Sequence, residues 1–155
     1  MELYLFRHGD AAAPQPGVPH EARELTERGR VETRAMAAAL HAAGARPGAV
    51  VSSPLVRARQ SAAIIAQAFG LSAEADDRLS PGCSMGDLQA LLAQRQCQSI
   101  LLVGHEPDLS RLIGQLTGGR VEMEKSAVAR VDAERVEPEA GVLVWLVPPQ
   151  FLASR

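Results

Sequence analysis

The stretch Ser99–Val103 is an almost wholly apolar run that is followed directly by Gly104. An apolar run of this length predicts a β-strand that is covered on both faces. Strands of this kind occur in parallel sheets that carry helices on each side, because both of their faces must be buried. This run therefore constrains the possible fold more than any other part of the sequence, and it indicates an α/β architecture.

Short apolar segments alternate with helical patterns along the rest of the chain. Further strands are predicted at Leu3–Phe6, Ala49–Ser52, Ser72–Ala75, Ala127–Asp132 and Val142–Val147. The last two flank a polar turn region and are expected to pair as an antiparallel hairpin. The sequence therefore predicts one domain over residues 1–155, a three-layer α/β/α sandwich with a mostly parallel central sheet and an antiparallel C-terminal hairpin.

Capping residues and hydrophobic periodicity mark four helices between these strands. Thr26 is predicted to cap the first helix, which runs to about Ala43 and ends at Gly44. Small apolar residues at helical spacing are expected to form its buried face, namely Val31, Ala35, Ala38 and Ala42. Ser53 is predicted to cap the second helix, with Pro54 at its first position.

The third and fourth helices have clearer signals. Ser84 and Asp87 resemble a capping box, and Asp108 is predicted to begin the fourth helix. Leucine and isoleucine side chains form the expected buried stripes, with Leu88, Leu91 and Leu92 in the third helix and Leu109, Leu112, Ile113 and Leu116 in the fourth.

Charge and composition exclude several classes of function. A net charge of -2 gives no general attraction to nucleic acid or to an anionic membrane surface. No apolar run approaches the length that spans a bilayer, and the N-terminal residues do not resemble a secretory signal. Cys83 and Cys97 have a spacing typical of neither a zinc site nor a redox pair, so both are predicted to be free thiols. These features predict a cytoplasmic protein.

Charged and imidazole side chains follow three of the predicted strands. Arg7 and His8 end the first strand, Arg57 lies in the helix after the second, and His105 follows the strand at Ser99–Val103. Because the carboxyl ends of parallel strands meet at one edge of a sheet, we expect these four side chains to converge. Arginine binds phosphate oxygens in a bidentate manner, and a neutral imidazole can attack phosphorus. The set therefore predicts a site for phosphoryl chemistry.

Four motifs in the same order resemble the histidine phosphatase superfamily, also called phosphoglycerate mutase-like. They are Arg7-His8-Gly9, Leu25-Thr26-Glu27-Arg28-Gly29, Ser53-Pro54-Leu55-Val56-Arg57-Ala58 and Gly104-His105-Glu106-Pro107. The short chain, Asp10 after the first motif and the Lys125-Ser126-Ala127-Val128-Ala129 segment are most similar to the small phosphohistidine phosphatase branch, the SixA type.

This resemblance implies roles for individual residues. His8 would be the nucleophile that accepts the phosphoryl group, Arg7 and Arg57 would hold the phosphoryl oxygens, and His105 would stabilise the charge that develops during transfer. Arg23 resembles a family position whose side chain reaches the phosphate. No metal and no cofactor are expected, because the arginines supply the positive charge, and the four histidines lack metal-ligand spacing.

One feature of the family is missing. Many larger relatives place a glutamate general acid in the middle of the chain, but the corresponding stretch here, Arg78-Leu79-Ser80-Pro81-Gly82, has no carboxylate. We expect Glu106 or Asp10 to supply any proton that is required. A phosphoramidate with an imidazole leaving group needs less help from an acid than an alkyl phosphate does.

The sequence predicts a metal-independent phosphatase that removes phosphate from phosphohistidine on a phosphotransfer or signalling protein. Two alternatives remain open, a small-molecule phosphomonoesterase of the same superfamily and a non-catalytic phosphate-binding module. The sequence leaves open whether the proline-rich loop Ala11–Glu24 moves over the site or frames it. His20 in this loop and His41 near a helix end are predicted to be surface residues. The family resemblance implies that Lys125 and Ser126, which lead into the fifth strand, border the pocket.

Overall fold

A computed structural model describes residues 1–152 of the chain. Its six strands are β1 (Glu2–Arg7), β2 (Ala49–Ser52), β3 (Ala73–Ala75), β4 (Ser99–Gly104), β5 (Val128–Ala133) and β6 (Gly141–Val147). Its four α-helices are α1 (Glu27–Ala42), α2 (Val56–Ala68), α3 (Met85–Ala93) and α4 (Asp108–Thr117). Three short 3₁₀ turns complete the secondary structure, at His20–Ala22, Asp77–Leu79 and Pro149–Leu152.

The six strands form one sheet in the order β3-β2-β4-β1-β5-β6. The first four run parallel, and β5 is antiparallel to both β1 and β6. In the pairing of β1 with β4, Arg7 lies opposite Gly104, so the two strands end at the same level. This register brings the residues that follow each strand, His8 and His105, to one edge of the sheet.

Both faces of the sheet are covered by helices. Along β1, Leu3 and Leu5 belong to a core formed with α3 and α4, whereas Tyr4 and Phe6 belong to a core formed with α1 and α2. This alternation follows from the two-residue period of a β-strand. The predicted three-layer α/β/α sandwich with a mostly parallel sheet and an antiparallel C-terminal hairpin is confirmed.

Several local signals are also confirmed. The Thr26 hydroxyl accepts a hydrogen bond from Gly29 N (3.0 Å) and caps α1. Ser84 and Asp87 form the capping box of α3, and the predicted leucine and isoleucine stripes of α3 and α4 are buried. Cys83 and Cys97 are free thiols. None of the helices within residues 1–152 is long and apolar enough to cross a membrane.

The predicted buried face of α1 is wrong. Val31 is 52% exposed, and the alanines at 35, 38 and 42 are exposed as well. The helix instead buries the side that carries Gly29, Thr33, Met36, Ala37 and Leu40. Met36 and Leu40 remove more apolar surface from water than alanines do, so they determine which side packs against the sheet.

The predicted cap of α2 is also wrong. The helix begins at Val56, Leu55 occupies the N-cap position, and Ser53 lies three residues before the first helical residue. The Ser53 hydroxyl accepts only a long bond from Leu55 N (3.3 Å), and its closest contact is to His105. A serine before a proline has the residue types of a helix start, but here the backbone needs two more residues to turn from β2 into the helix.

Two glycines allow α1 to approach the end of β1. A Cβ atom on Gly29 would overlap the carbonyl oxygen of Asp10, and one on Gly9 would lie 2.8 Å from both Gly29 O and Thr33 Oγ1. No side chain fits between these two backbone segments. The close contact holds the residues after β1 in a fixed position under the first turn of α1.

Candidate active site

The carboxyl edge of the sheet contains a cavity of about 290 Å³. We name it the histidine pocket and define it by the side chains Arg7, His8, Arg23, Arg57, His105 and Glu106, which line it together with His20, Pro81 and Lys125. The structure therefore brings together all four residues that the sequence singled out first. It also places Arg23 and Glu106 there.

His8 is fixed in one tautomer by its two ring contacts. Its Nδ1 lies 2.8 Å from the carbonyl oxygen of Gly9, which can only accept, so Nδ1 carries the hydrogen. Arg57 Nε, which can only donate, lies 3.2 Å from Nε2, so Nε2 holds a lone pair. Gly9 is itself held by its amide, which donates to Ser61 Oγ (3.0 Å). The ring is thus neutral and presents an unprotonated Nε2.

Burial also keeps His8 neutral. Burial is the largest cause and lowers the pKa of His8 to about 3; the hydrogen bond to the Gly9 carbonyl acts in the opposite direction, and the nearby His105, Arg57 and Arg7 lower the pKa further. Only 7% of the residue is exposed. A neutral imidazole with a free lone pair is a nucleophile, whereas an imidazolium is not.

His105 lies beside His8, with 5.0 Å between the ring centroids. Burial, followed by the nearby charge of Arg57, lowers the pKa of His105 to about 4. Its Nε2 is 2.7 Å from the Ser53 hydroxyl, and its Nδ1 is buried without a hydrogen-bond partner among residues 1–152. His105 therefore has one ring nitrogen in use and one available to a bound group.

Three arginines give the pocket its charge. Arg57, only 3% exposed in the first turn of α2, bonds His8 and also donates from Nη1 to the carbonyl oxygen of His20 (3.0 Å). Arg7 and Arg23 each use Nη1 on a backbone carbonyl, and the Nε of each is buried without a partner within residues 1–152. Over the same residues, none of the three arginines forms an ion pair with a carboxylate. Such a set of donors favours an anion.

His20 lines the pocket, although no sequence pattern indicated that it would. The residue is exposed, as predicted, but its Nε2 faces Arg57 Nη2 (3.1 Å) and Arg23 Nη2 (3.3 Å). Both guanidinium groups can only donate, so His20 accepts through Nε2 and is neutral. The charge of Arg23 lowers the pKa of His20 further. A loop histidine with no helical or strand spacing cannot be assigned to a site from its sequence neighbours.

The two candidate proton donors lie in different surroundings. Glu106 lines the histidine pocket, and its carboxylate accepts from Ser110 N (3.1 Å) and Ser110 Oγ (2.6 Å). Asp10 lines an adjoining cavity of about 500 Å³ and is bonded to Lys125 Nζ (2.7 Å). The Lys125 ammonium is the main cause of a lowered pKa at Asp10. Asp10 is thus held ionised, which does not suit a proton donor.

The loop at which larger relatives carry a glutamate is held in place by a buried aspartate. Asp108 accepts from Gly82 N (2.7 Å) and from Arg111 Nη2, which also bonds the carbonyl oxygen of Cys83. Pro81 forms the pocket wall in this loop. The loop gives the pocket an apolar wall and no carboxylate.

Within residues 1–152, no group of three or more His, Cys, Asp or Glu side chains could hold a metal ion. The positive charge of the pocket comes from its arginines. Its chemistry is that of an anion site with an unprotonated imidazole at its base.

Comparisons with known proteins agree with this geometry. Residues 3–98 match the family model of the histidine phosphatase superfamily, branch 1. The chain is 34% identical to an uncharacterized protein of Picosynechococcus, over 98% of this chain and 99% of that protein. It is 30% identical to the phosphohistidine phosphatase SixA of Escherichia coli, over 96% of this chain and 94% of that protein.

The solved structures give the same result. The structure of the protein histidine phosphatase SixA complexed with tungstate superimposes on this chain with a TM-score of 0.83 at 30% identity, and the match covers 98% of this chain and 99% of that one. Fold, family model and full-length similarity therefore agree, and the chain belongs to the histidine phosphatase superfamily as a phosphatase of the SixA type.

Proposed function

We propose that this phosphatase hydrolyses phosphohistidine on a phosphotransfer or signalling protein, through a covalent phosphohistidine intermediate on Nε2 of His8. The observation that carries the proposal is the state of the His8 ring. Its hydrogen is on Nδ1 and bonded to Gly9 O (2.8 Å), and its lone pair at Nε2 faces the arginines of the pocket. A nucleophile in this state needs no base to activate it.

The proposed reaction has two steps. In the first, the Nε2 lone pair forms a bond to phosphorus while the bond from phosphorus to the substrate imidazole breaks. The departing nitrogen keeps the electron pair and takes up a proton. In the second, water attacks phosphorus and gives one proton to the carboxylate that protonated the leaving nitrogen, the Nε2 to phosphorus bond breaks, and inorganic phosphate leaves as Nε2 regains its lone pair. The other ring hydrogen stays on Nδ1, which donates it to the Gly9 carbonyl oxygen throughout.

The arginines bind the phosphoryl oxygens in both steps. Arg7 and Arg23 each have a buried Nε that no residue among 1–152 accepts from, and Arg57 already donates to the attacking nitrogen. When a phosphoryl group enters, Arg57 turns its Nε hydrogen from Nε2 to a phosphoryl oxygen and frees the lone pair. Charge-assisted bonds of this kind replace the metal ion of other phosphoryl-transfer enzymes.

Glu106 is the proton donor that we propose, because it lines the pocket and Asp10 is paired with Lys125. The absence of a carboxylate at Arg78–Gly82 supports a substrate with an easily protonated leaving group. The imidazole of phosphohistidine is such a group, whereas an alkoxide requires a stronger acid.

A protein substrate agrees with the openness of the site. Residues 13–21 of the loop over the pocket are all exposed. The chain has little sequence for lid insertions that would close over a small molecule. The full-length similarity to the phosphohistidine phosphatase SixA of Escherichia coli adds support for this substrate.

The test uses a histidine phosphotransfer protein that carries ³²P on histidine. Wild-type protein should release inorganic phosphate and, when quenched during turnover, carry a label that is acid-labile and alkali-stable. His8→Ala should do neither, whereas His41→Ala, an exposed histidine on α1, serves as the matched control and should behave as wild type. Equal release by wild type and His8→Ala, or no release by either, would contradict the proposal.

A second candidate, a small-molecule phosphomonoesterase, is favoured by one observation. The adjoining cavity of about 500 Å³ meets the histidine pocket at Arg7 and Lys125 and could hold the rest of a small phosphate ester. Parallel measurements of kcat/KM on phosphohistidine protein and on a panel of small phosphate esters distinguish the two substrates. A non-catalytic phosphate-binding module would bind phosphate and turn over neither.

A further inference from the structure

We infer that Ser53 is a positioning residue that keeps the hydrogen of His105 on Nδ1, so that His105 donates an N–H to the phosphoryl group. This inference rests on the proposed function for its catalytic consequence. Its structural part, the tautomer of His105 in the resting protein, does not depend on the substrate.

The position of Ser53 is fixed by backbone contacts. It follows β2 directly, its amide donates to the carbonyl oxygen of Val103 in β4 (3.0 Å), and its side chain is fully buried. The Ser53 Oγ lies 2.7 Å from His105 Nε2, a short hydrogen bond between two buried groups. The hydroxyl thus contacts the ring on the side away from its free nitrogen.

Counting hydrogens assigns the direction of this bond. A serine hydroxyl has one hydrogen and two lone pairs, and Ser53 Oγ already accepts from Leu55 N (3.3 Å). Within residues 1–152, His105 Nε2 is the acceptor that this hydroxyl reaches. If Nε2 carried the ring hydrogen, two buried atoms would lack a partner, the serine hydrogen and the Nδ1 lone pair, whereas with the hydrogen on Nδ1 only that N–H lacks one within residues 1–152. A buried polar group without a partner costs about 1–3 kcal/mol, so the second arrangement is favoured. The Ser53 hydroxyl therefore donates to Nε2.

The remaining ring hydrogen then lies on Nδ1. This atom is buried without a partner among residues 1–152, as are Nε of Arg7 and Nε of Arg23 on the same pocket. With a hydrogen on Nδ1, all three are donors, and all three suit the same anion. In the other tautomer Nδ1 would present a lone pair to the phosphoryl oxygens and repel them.

The ionisation of His105 gives the inference a distinctive pH signature. Five charged or titratable groups surround this ring. They are Arg7 at the end of β1, His8 directly after it, His20 in the loop, Arg57 in α2 and Asp108 in α4. Burial and Arg57 keep the ring neutral to about pH 4. Above that pH only the tautomer decides whether Nδ1 is a donor, whereas a protonated ring has a hydrogen on both nitrogens.

The first measurement is ¹⁵N NMR of the imidazole groups in the resting protein at neutral pH, which distinguishes the two neutral tautomers. We expect His105 to carry its hydrogen on Nδ1 in wild type and to gain the Nε2-protonated form in Ser53→Ala. Ser53→Thr keeps the hydroxyl and should keep the wild-type tautomer. A wild-type His105 with its hydrogen on Nε2 would overturn the inference, whether or not the protein hydrolyses phosphohistidine.

The second measurement is kcat on phosphohistidine protein across pH. Ser53→Ala should lower kcat about 10- to 100-fold at neutral pH, the loss expected for one hydrogen bond to a charged group, and the loss should shrink as the pH falls towards the pKa of His105. Ser53→Thr should restore activity. Ser99→Ala, which removes a serine hydroxyl at the far end of β4, is the matched control and should keep wild-type kcat. A loss that is the same at every pH would contradict the positioning role.

Discussion

Lowering the pH from about 8 to about 5.5 should destabilise the protein through His8 and His105. Burial holds both rings neutral in the folded state, with pKa values of about 3 and about 4 against 6.5 for an ordinary histidine. The unfolded chain therefore binds protons that the folded protein cannot bind. Stability falls as the pH drops below 6.5, and it continues to fall until each folded-state pKa is reached.

The size of this loss in the free energy of unfolding is set by the pKa of histidine in the unfolded chain. At about pH 5.5 an unfolded histidine with a pKa of 6.5 is about nine-tenths protonated, which lowers the free energy of the unfolded state by roughly 1.4 kcal/mol. Both folded-state pKa values lie well below this pH, so little is recovered in the folded protein. The two rings together should remove about 3 kcal/mol from the free energy of unfolding.

Urea unfolding at the two pH values measures this loss. His8→Gln and His105→Gln should each reduce the difference between the two pH values by about 1.4 kcal/mol. A constant packing defect in a variant cancels, because each variant is compared with itself. His41→Gln, at an exposed histidine, is the control for loss of an imidazole and should keep the wild-type difference. If both site variants also kept it, the neutral state of the buried rings would be refuted.

Three further predictions concern the surroundings of the pocket. His20→Ala should bind inorganic phosphate about 2- to 10-fold more tightly in calorimetry, because the ring competes for two arginine N–H groups; weaker binding would contradict this. Gly29→Ala should lower the free energy of unfolding by roughly 1–3 kcal/mol, because the added Cβ would overlap Asp10 O. Gly86→Ala is the control and should not destabilise α3, because its Cβ would meet only Ser84 Oγ at 3.7 Å. Equal Tm values for the two variants would refute the overlap. Glu106→Gln should slow hydrolysis of an alkyl phosphate ester about 100-fold or more, and Asp10→Asn should slow it much less; the reverse order in kcat would assign the acid to Asp10.

The architecture was predictable because its signals are strong and local. The apolar side chains of Ser99–Val103 can be buried only if both faces of their strand are covered. In the structure β4 lies between β2 and β1, in the parallel part of the sheet, and these apolar side chains are buried. The capping box of Ser84 and Asp87 marks the start of α3, and the leucine stripe marks the buried face of α4. Both patterns are specific to helices. Local propensity and tertiary packing agree at these places.

The errors occurred where a residue type has two uses. Alanine fits a buried face and a solvated face equally well, so the alanines of α1 gave no true periodicity, and the burial of Met36 and Leu40 decided the orientation. Ser53 has the residue type of a helix cap, yet its hydroxyl bonds a histidine that follows a different strand. That contact depends on the register of β2 with β4, which cannot be predicted from the sequence of either strand alone.

The low pKa of His8 has several causes, and they would respond differently to a bound phosphoryl group. The arginines that lower its pKa are also those that we propose bind the phosphoryl group, and a bound dianion would cancel much of their field. If the arginines alone kept the ring neutral, His8 would tend to gain a proton as its substrate arrived. Burial is instead the largest cause, and Arg57 and Arg7 contribute less. We therefore expect His8, the proposed nucleophile, to stay unprotonated when a phosphoryl group binds, because its neutrality depends mainly on burial and only secondarily on charges that the phosphoryl group would neutralise.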